Sequence, residues 1–140
     1  MRRPENAFHL AIPTHDLDAA YEFYVGGLGC HLARRYLDRL TLDFFGDQLV
    51  CHLDPSVARS ADSSGNVALA LYPRHFGVTF HDRVEFDALL RLVELRKLPV
   101  FRPPATRFEG LVEEHTTLVL VDPSSNLLEF KHYLDPRMMH

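Results

Sequence analysis

Leu118-Val-Leu-Val-Asp-Pro-Ser-Ser-Asn-Leu-Leu-Glu-Phe-Lys131 is the stretch on which the reading of this 140-residue chain turns. Two apolar runs flank Asp122-Pro-Ser-Ser-Asn126, a tight-turn composition, so the segment reads as a β-hairpin. On the return strand, alternation sets Leu127, Glu129 and Lys131 on one face and Leu128 and Phe130 on the other. Glu129 is thus a carboxylate in the middle of an apolar strand. Left unpaired in a core it would cost several kcal/mol, so it needs a cation, a hydrogen-bonding partner or water. An exposed or salt-bridged glutamate is the plain alternative.

Upstream of the hairpin the pattern is strand, helix, short strand. His75 to Phe80 alternates Phe76, Val78 and Phe80 against His75, Gly77 and Thr79. Asp82 with Glu85 resembles a capping box opening a helix to about Lys97, with Phe86, Leu89, Leu90 and Val93 as its apolar stripe. Leu98 to Phe101 reads as a short strand, and Pro103, Pro104 and Gly110 mark a loop before the hairpin. The first half of the chain follows the same order. Ala7 to Pro13 is a strand, and Asp16 caps a helix through Tyr24 that Gly26, Gly27 and Gly29 stop. His31 to Tyr36, Thr41 to Phe45 and Leu49 to Leu53 are strands, the last two joined at Gly46-Asp47. The fold class expected is therefore α+β, with two βαβββ modules at about 7–54 and 74–134 and a polar linker at about 55–73, together forming one domain over 1–140.

Superposing the two copies pairs His9 with His75 in the first strands. It also pairs Leu49-Val-Cys-His-Leu53 with Asn126-Leu-Leu-Glu-Phe130, setting His52 opposite Glu129. Four potential metal ligands thus fall at two equivalent positions per copy. In the first strands each histidine shares its face with small residues, Ala7 and Ala11 or Gly77 and Thr79, as expected of a cavity lining. Nine histidines make metal chemistry worth testing. His15, His31, His81 and His132 have no repeat-mate and are expected at the surface.

Composition narrows the class. A formal charge of −4 and a pI near 6.1 argue against a general nucleic-acid or anionic-membrane binder. No apolar stretch reaches membrane-span length, and no signal core follows the N-terminus, so a cytoplasmic protein is expected. Cys30 and Cys51 are too few for a disulfide framework or a cysteine zinc site.

Phe8-His-Leu-Ala-Ile-Pro13, Asp16-Leu-Asp-Ala-Ala-Tyr-Glu-Phe-Tyr24, Leu28-Gly29, Pro73-Arg-His-Phe-Gly-Val78 and Asp122-Pro-Ser-Ser-Asn-Leu-Leu-Glu-Phe130 resemble, in this order, the motifs of the vicinal oxygen chelate superfamily. That superfamily contains glyoxalase I, extradiol dioxygenases and bleomycin-resistance proteins, and the resemblance runs from about Ala7 to Tyr133. It implies paired βαβββ modules whose mixed sheets curve into a cup around one metal. It implies ligands at His9, His75 and Glu129, with His52 where glyoxalases carry a fourth ligand. Two histidines and a carboxylate match the facial triad of ferrous enzymes. Fe(II) is accordingly the expected metal, ahead of Mn(II), Zn(II) or Ni(II).

The expected function is a metal enzyme with dioxygenase-like chemistry on a small molecule that chelates through adjacent oxygens. A glyoxalase-type isomerase or lyase is the alternative, and a non-catalytic binding or drug-resistance protein the second alternative. The strand Thr116 to Val121 lacks the tyrosine that extradiol dioxygenases carry there; His115 and Tyr133, near its ends, are candidates to replace it, and His52 is a candidate acid–base group. Arg107, Phe108, Phe44 and Lys131 are candidates for substrate contact. The superfamily's habit implies a homodimer, with no nucleic-acid or membrane partner.

Overall fold

A computed structural model describes residues 5–57, 71 and 74–140. Most of the expected linker lies outside the described residues. The chain divides into two compact units, Met1–Val67 with Pro123–Ser125, and Ala68–Asp122 with Asn126–His140.

In the first unit β1 (His9–Thr14) leads into α1 (Leu17–Tyr21), followed by β2 (His31–Arg35), β3 (Arg39–Phe44) and β4 (Asp47–Leu53). The sheet order is β1-β4-β3-β2, with β1 parallel to β4 and the remaining pairs antiparallel. The Asp16 carboxylate caps α1 by accepting from the Asp18 and Ala19 amides, as its position predicts. Gly26 and Gly27 do not end the helix: it widens into a π-helical segment, Glu22–Gly27, and the reversal comes at Gly29, at φ +78°. Leu17, Ala20, Phe23 and Tyr24 are buried, as are Leu40, Leu42 and Phe44 of β3 and Leu49 and Cys51 of β4.

The second unit repeats the order: β5 (Phe76–Phe80), α2 (Arg83–Arg96), β6 (Val100–Arg107), β7 (His115–Val121) and β8 (Leu127–Tyr133). Its sheet runs β5-β8-β7-β6, again with only the first pair parallel. The α+β class and the two-module architecture are thus those expected. Asp82 caps α2 through the Val84 amide. Phe80, Phe86 and Phe130 pack ring to ring beneath the helix, at 6.1 and 6.3 Å. His132 shares that face, its ring 6.3 Å from Phe86, rather than lying free at the surface.

The Pro-rich stretch corrects the sequence reading. Residues 102–107 are not a loop but most of β6, an eight-residue strand. Pro103 and Pro104 are tolerated because β6 is the sheet edge, where the ladder is bulged between Arg102 and Ala105. At the β7–β8 turn the Asp122 carboxylate accepts from the Asn126 amide and side chain, both at 2.8 Å, and Ser125 takes φ +67°.

Candidate functional site

One face of the second sheet packs on α2; the other carries most of the residues singled out from sequence. Register lays them out in three rows across β6, β7 and β8. These are Arg102–Val119–Glu129, Ala105–Thr117–Lys131 and Arg107–His115–Tyr133. Gly77 of β5 lies beside Glu129, and a Cβ there would sit 1.8 Å from the Glu129 carbonyl oxygen. Gly77 is therefore small to let two backbones meet, not to leave room around His75.

Glu129 is only 8% exposed and every oxygen is engaged. Thr117 Oγ1 donates to Oε1 at 2.8 Å, and Lys131 Nζ lies 3.0 Å from Oε2. His75 Nε2 is 3.1 Å from the same Oε2. Burial raises the carboxyl pKa, but the Lys131 and Thr117 hydrogen bonds, with the charges of Lys131 and His75, outweigh it and leave the value below the ordinary range. His75 and Glu129, both singled out from sequence, are thus in direct contact.

Two histidines have fixed tautomers. His75 Nδ1 is 2.8 Å from the Leu71 carbonyl, and His115 Nδ1 is 2.8 Å from the Glu113 carbonyl. A carbonyl only accepts, so both Nδ1 atoms carry a proton. His115 is left with Nε2 as its acceptor. His75 Nε2 faces Glu129 Oε2 at 3.1 Å, close enough for the two atoms to share one cation.

Over this face opens a cavity of about 460 Å³, within the range of small-molecule sites. Leu71 and Val119 form an apolar end, Glu129, Lys131 and Thr117 the polar floor, and Arg102, Arg107, Phe108, His115 and Tyr133 the remaining wall. The His115 ring lies 4.6 Å from Tyr133 and 5.7 Å from Phe108.

In the first unit, His9 Nδ1 meets the Gln48 side-chain amide at 2.6 Å. Sequence reasoning passed over Gln48 because an amide is not a typical ligand; only the β1–β4 register, His9 against Gln48, reveals it. The same register moves His52. It lies opposite Pro13, four positions along the strand pair from His9, on the order of 13 Å at strand rise. Glu129 stands two residues beyond the level of His75, against Gly77; the equivalent position, against Ala11, holds Val50. Val50, not His52, is therefore the counterpart of Glu129, and His52 matches Lys131. Aligning the hairpins from their turns misses this because Phe45-Gly46 is a shorter turn than Asp122–Asn126. Phe44, expected to reach substrate, lies instead in the helix-side core, its ring 6.4 Å from Tyr24. His15 is held by Ser124, whose hydroxyl also meets Thr14. Among the described residues no three His, Cys, Asp or Glu side chains gather into a metal-holding group.

Comparison with known proteins agrees with this architecture. No curated protein matches the sequence. A glyoxalase/bleomycin resistance protein/dioxygenase from Alicyclobacillus acidocaldarius is 57% identical over 100% of both chains, with a TM-score of 0.89. A lactoylglutathione lyase from Agrobacterium tumefaciens shares the fold at 20% identity and TM-score 0.65, covering 93% of this chain and 95% of its own. A fosfomycin resistance protein from Listeria monocytogenes does so at 14% identity and TM-score 0.66, covering 94% and 97%. The sequence pattern of one family spans residues 7–130, and the chain belongs to that family, the Glyoxalase/Bleomycin resistance protein/Dioxygenase superfamily.

Proposed function

We propose that the chain is a divalent-metal enzyme acting on a small molecule held in the second-module cavity, with His75 and Glu129 as two of the metal ligands. The observation that carries this reading is the convergence of His75 Nε2 on Glu129 Oε2 at 3.1 Å, with the histidine proton committed to the far side of the ring. That donor pair suits a cation, and Leu71 supplies the hydrogen bond that orients a ligating imidazole. His9, with Gln48 orienting its ring, is the proposed third ligand, as the family resemblance implies. His52, displaced along the strand, is left out of the set. Fe(II) remains the first choice for two histidines and a carboxylate.

A bound metal would supply Lewis-acid charge to adjacent substrate oxygens. The chain's own residues would do the rest. His115, with Nδ1 held by Glu113, offers Nε2 to take or return a substrate proton, and Tyr133 packs against its ring. Dioxygenase-like chemistry is the leading reaction and glyoxalase-type isomerisation the alternative. The working assembly is proposed to be a homodimer.

One observation favours a second reading. Lys131 already places a positive charge 3.0 Å from Glu129 Oε2, as a metal-free binding protein would need. Elemental analysis of protein purified without chelator or polyhistidine tag separates the two. Near-stoichiometric metal, lost in the His75→Ala/Glu129→Ala variant, is the expected result. Metal absent even after anaerobic ferrous addition would hand the cavity to the binding reading. Oxygen uptake with catechols, against methylglyoxal–thiol isomerisation, then ranks the two chemistries.

A further inference from the structure

We infer that the cavity selects planar organic anions, a carboxylate or phosphonate attached to an unsaturated ring, with Arg102 and Arg107 holding the anionic group. This rests on the proposal above that the cavity is the substrate site, and names the class of compound it takes.

The first support is charge. Among the described residues, three cationic side chains line the cavity, Arg102, Arg107 and Lys131, against one carboxylate, Glu129. Lys131 is already spent on that carboxylate. Neither arginine forms an ion pair with an acid among the described residues; the Arg102 guanidinium lies only against the Phe101 ring, at 5.8 Å. Glu114, next to His115 in sequence, is not among the lining residues and accepts from the Gly110 amide at 2.7 Å. Both arginines stand on β6, and Ala105 between them, opposite Thr117, leaves the wall low where they reach inward. A guanidinium presents a fork of donors that fits a carboxylate or phosphonate edge.

The second support is the shape of the facing wall. Tyr133, His115 and Phe108 form a run of rings with centroids 4.6 and 5.7 Å apart. Phe108 keeps this place at a cost: its φ is +52°, in the left-handed region, and its ring is 59% exposed. A phenylalanine held in a strained backbone position with little burial is not explained by packing. It is explained by a ring that rides over a bound planar group.

The test uses NMR amide-shift titrations of the purified full chain with benzoate, phenylphosphonate, benzamide and cyclohexanecarboxylate, recording metal content for each sample. Benzoate or phenylphosphonate should shift the His115 and Tyr133 amides saturably, and whichever binds more tightly names the anionic group. Benzamide and cyclohexanecarboxylate should bind about tenfold more weakly. Arg102→Gln and Arg107→Gln should each weaken benzoate by about tenfold while retaining metal. Phe108→Gly removes the backbone strain, so it should be at least as stable as the wild type yet bind benzoate more weakly. Equal binding of benzamide and benzoate, or benzoate affinity indifferent to both arginine variants, overturns the inference. The metal proposal fails separately: elemental analysis that finds no metal in the wild type refutes it, while the dependence of benzoate binding on Arg102 and Arg107 is read in the same samples.

Discussion

Burial alone would push the Glu129 carboxyl above its ordinary value of 4.5, yet hydrogen bonds from Lys131 and Thr117 and the charges of Lys131 and His75 draw it below. The sign of the consequence is fixed by linkage. A carboxyl whose folded value is depressed adds stability that is fully present above the unfolded value and lost as pH falls through the folded one. Urea titrations of metal-stripped protein should therefore show stability dropping below about pH 4.5, more steeply than in Glu129→Gln, which starts less stable but lacks this proton. Parallel pH profiles would mean that Glu129 carries none of the effect. Lys131 allows a second test at the same atom. Its ammonium competes with any metal for Oε2, so Lys131→Met should tighten ferrous or zinc binding by about tenfold, measured by competition with a chromophoric chelator. Unchanged or weakened metal binding would show that no metal uses that oxygen. That this carboxylate has partners was legible in sequence because an acid in an apolar strand demands them. Gln48 was not, since a glutamine beside a strand turn demands nothing until the register sets it against His9.

Strand pairing rather than side-chain chemistry decides what Gly77 is for. Parallel β5 and β8 approach so closely there that a methyl group would lie 1.8 Å from the Glu129 carbonyl oxygen and 2.6 Å from its carbon, both backbone atoms that cannot swing aside. Gly77→Ala should cost about 3 kcal/mol or more, at the large end for one substitution, because the strand pair must part. Gly110→Ala makes the comparison: φ is +78° with open space around the site, so only backbone strain of about 1 kcal/mol applies. Chemical denaturation of both variants checks this, and a mild Gly77→Ala would mean the strands part at little cost. The elements were readable wherever local chemistry spoke: the Asp16 and Asp82 caps, the Asp122–Asn126 turn and the period-two strands all stand where expected. β6 was hidden because consecutive prolines look like a loop, and only its place at a sheet edge, which the sequence does not state, makes them acceptable there. The His52 pairing slipped by two because repeat alignment followed turns of different length.

At the scale of the molecule, the repeat was visible because a second strand–helix–strand pattern restarts after a polar linker. The cavity was visible only as scattered candidates, since its wall is assembled by register across three strands. The proposed homodimer draws support from what the surface leaves uncovered. Single exposed apolar residues are ordinary, but Leu111 and Val112 are adjacent in one short segment and both are exposed. Two consecutive turns, Leu111 N–H to Phe108 carbonyl at 3.0 Å and Glu114 N–H to Leu111 carbonyl at 3.1 Å, fix this segment in shape. An ordered loop presenting apolar side chains outward has already lost the entropy that binding would cost it, which makes it a candidate for burial against a second copy. Leu111 and Val112 do not line the cavity, so charging them tests assembly without touching the substrate wall. Sedimentation velocity should find the wild type at twice the 16.1 kDa chain mass, and Leu111→Asp/Val112→Asp shifted toward a single chain with its benzoate shifts intact. A wild type that sediments only as one chain refutes the dimer. A dimer indifferent to the double substitution would move the contact to another part of the surface.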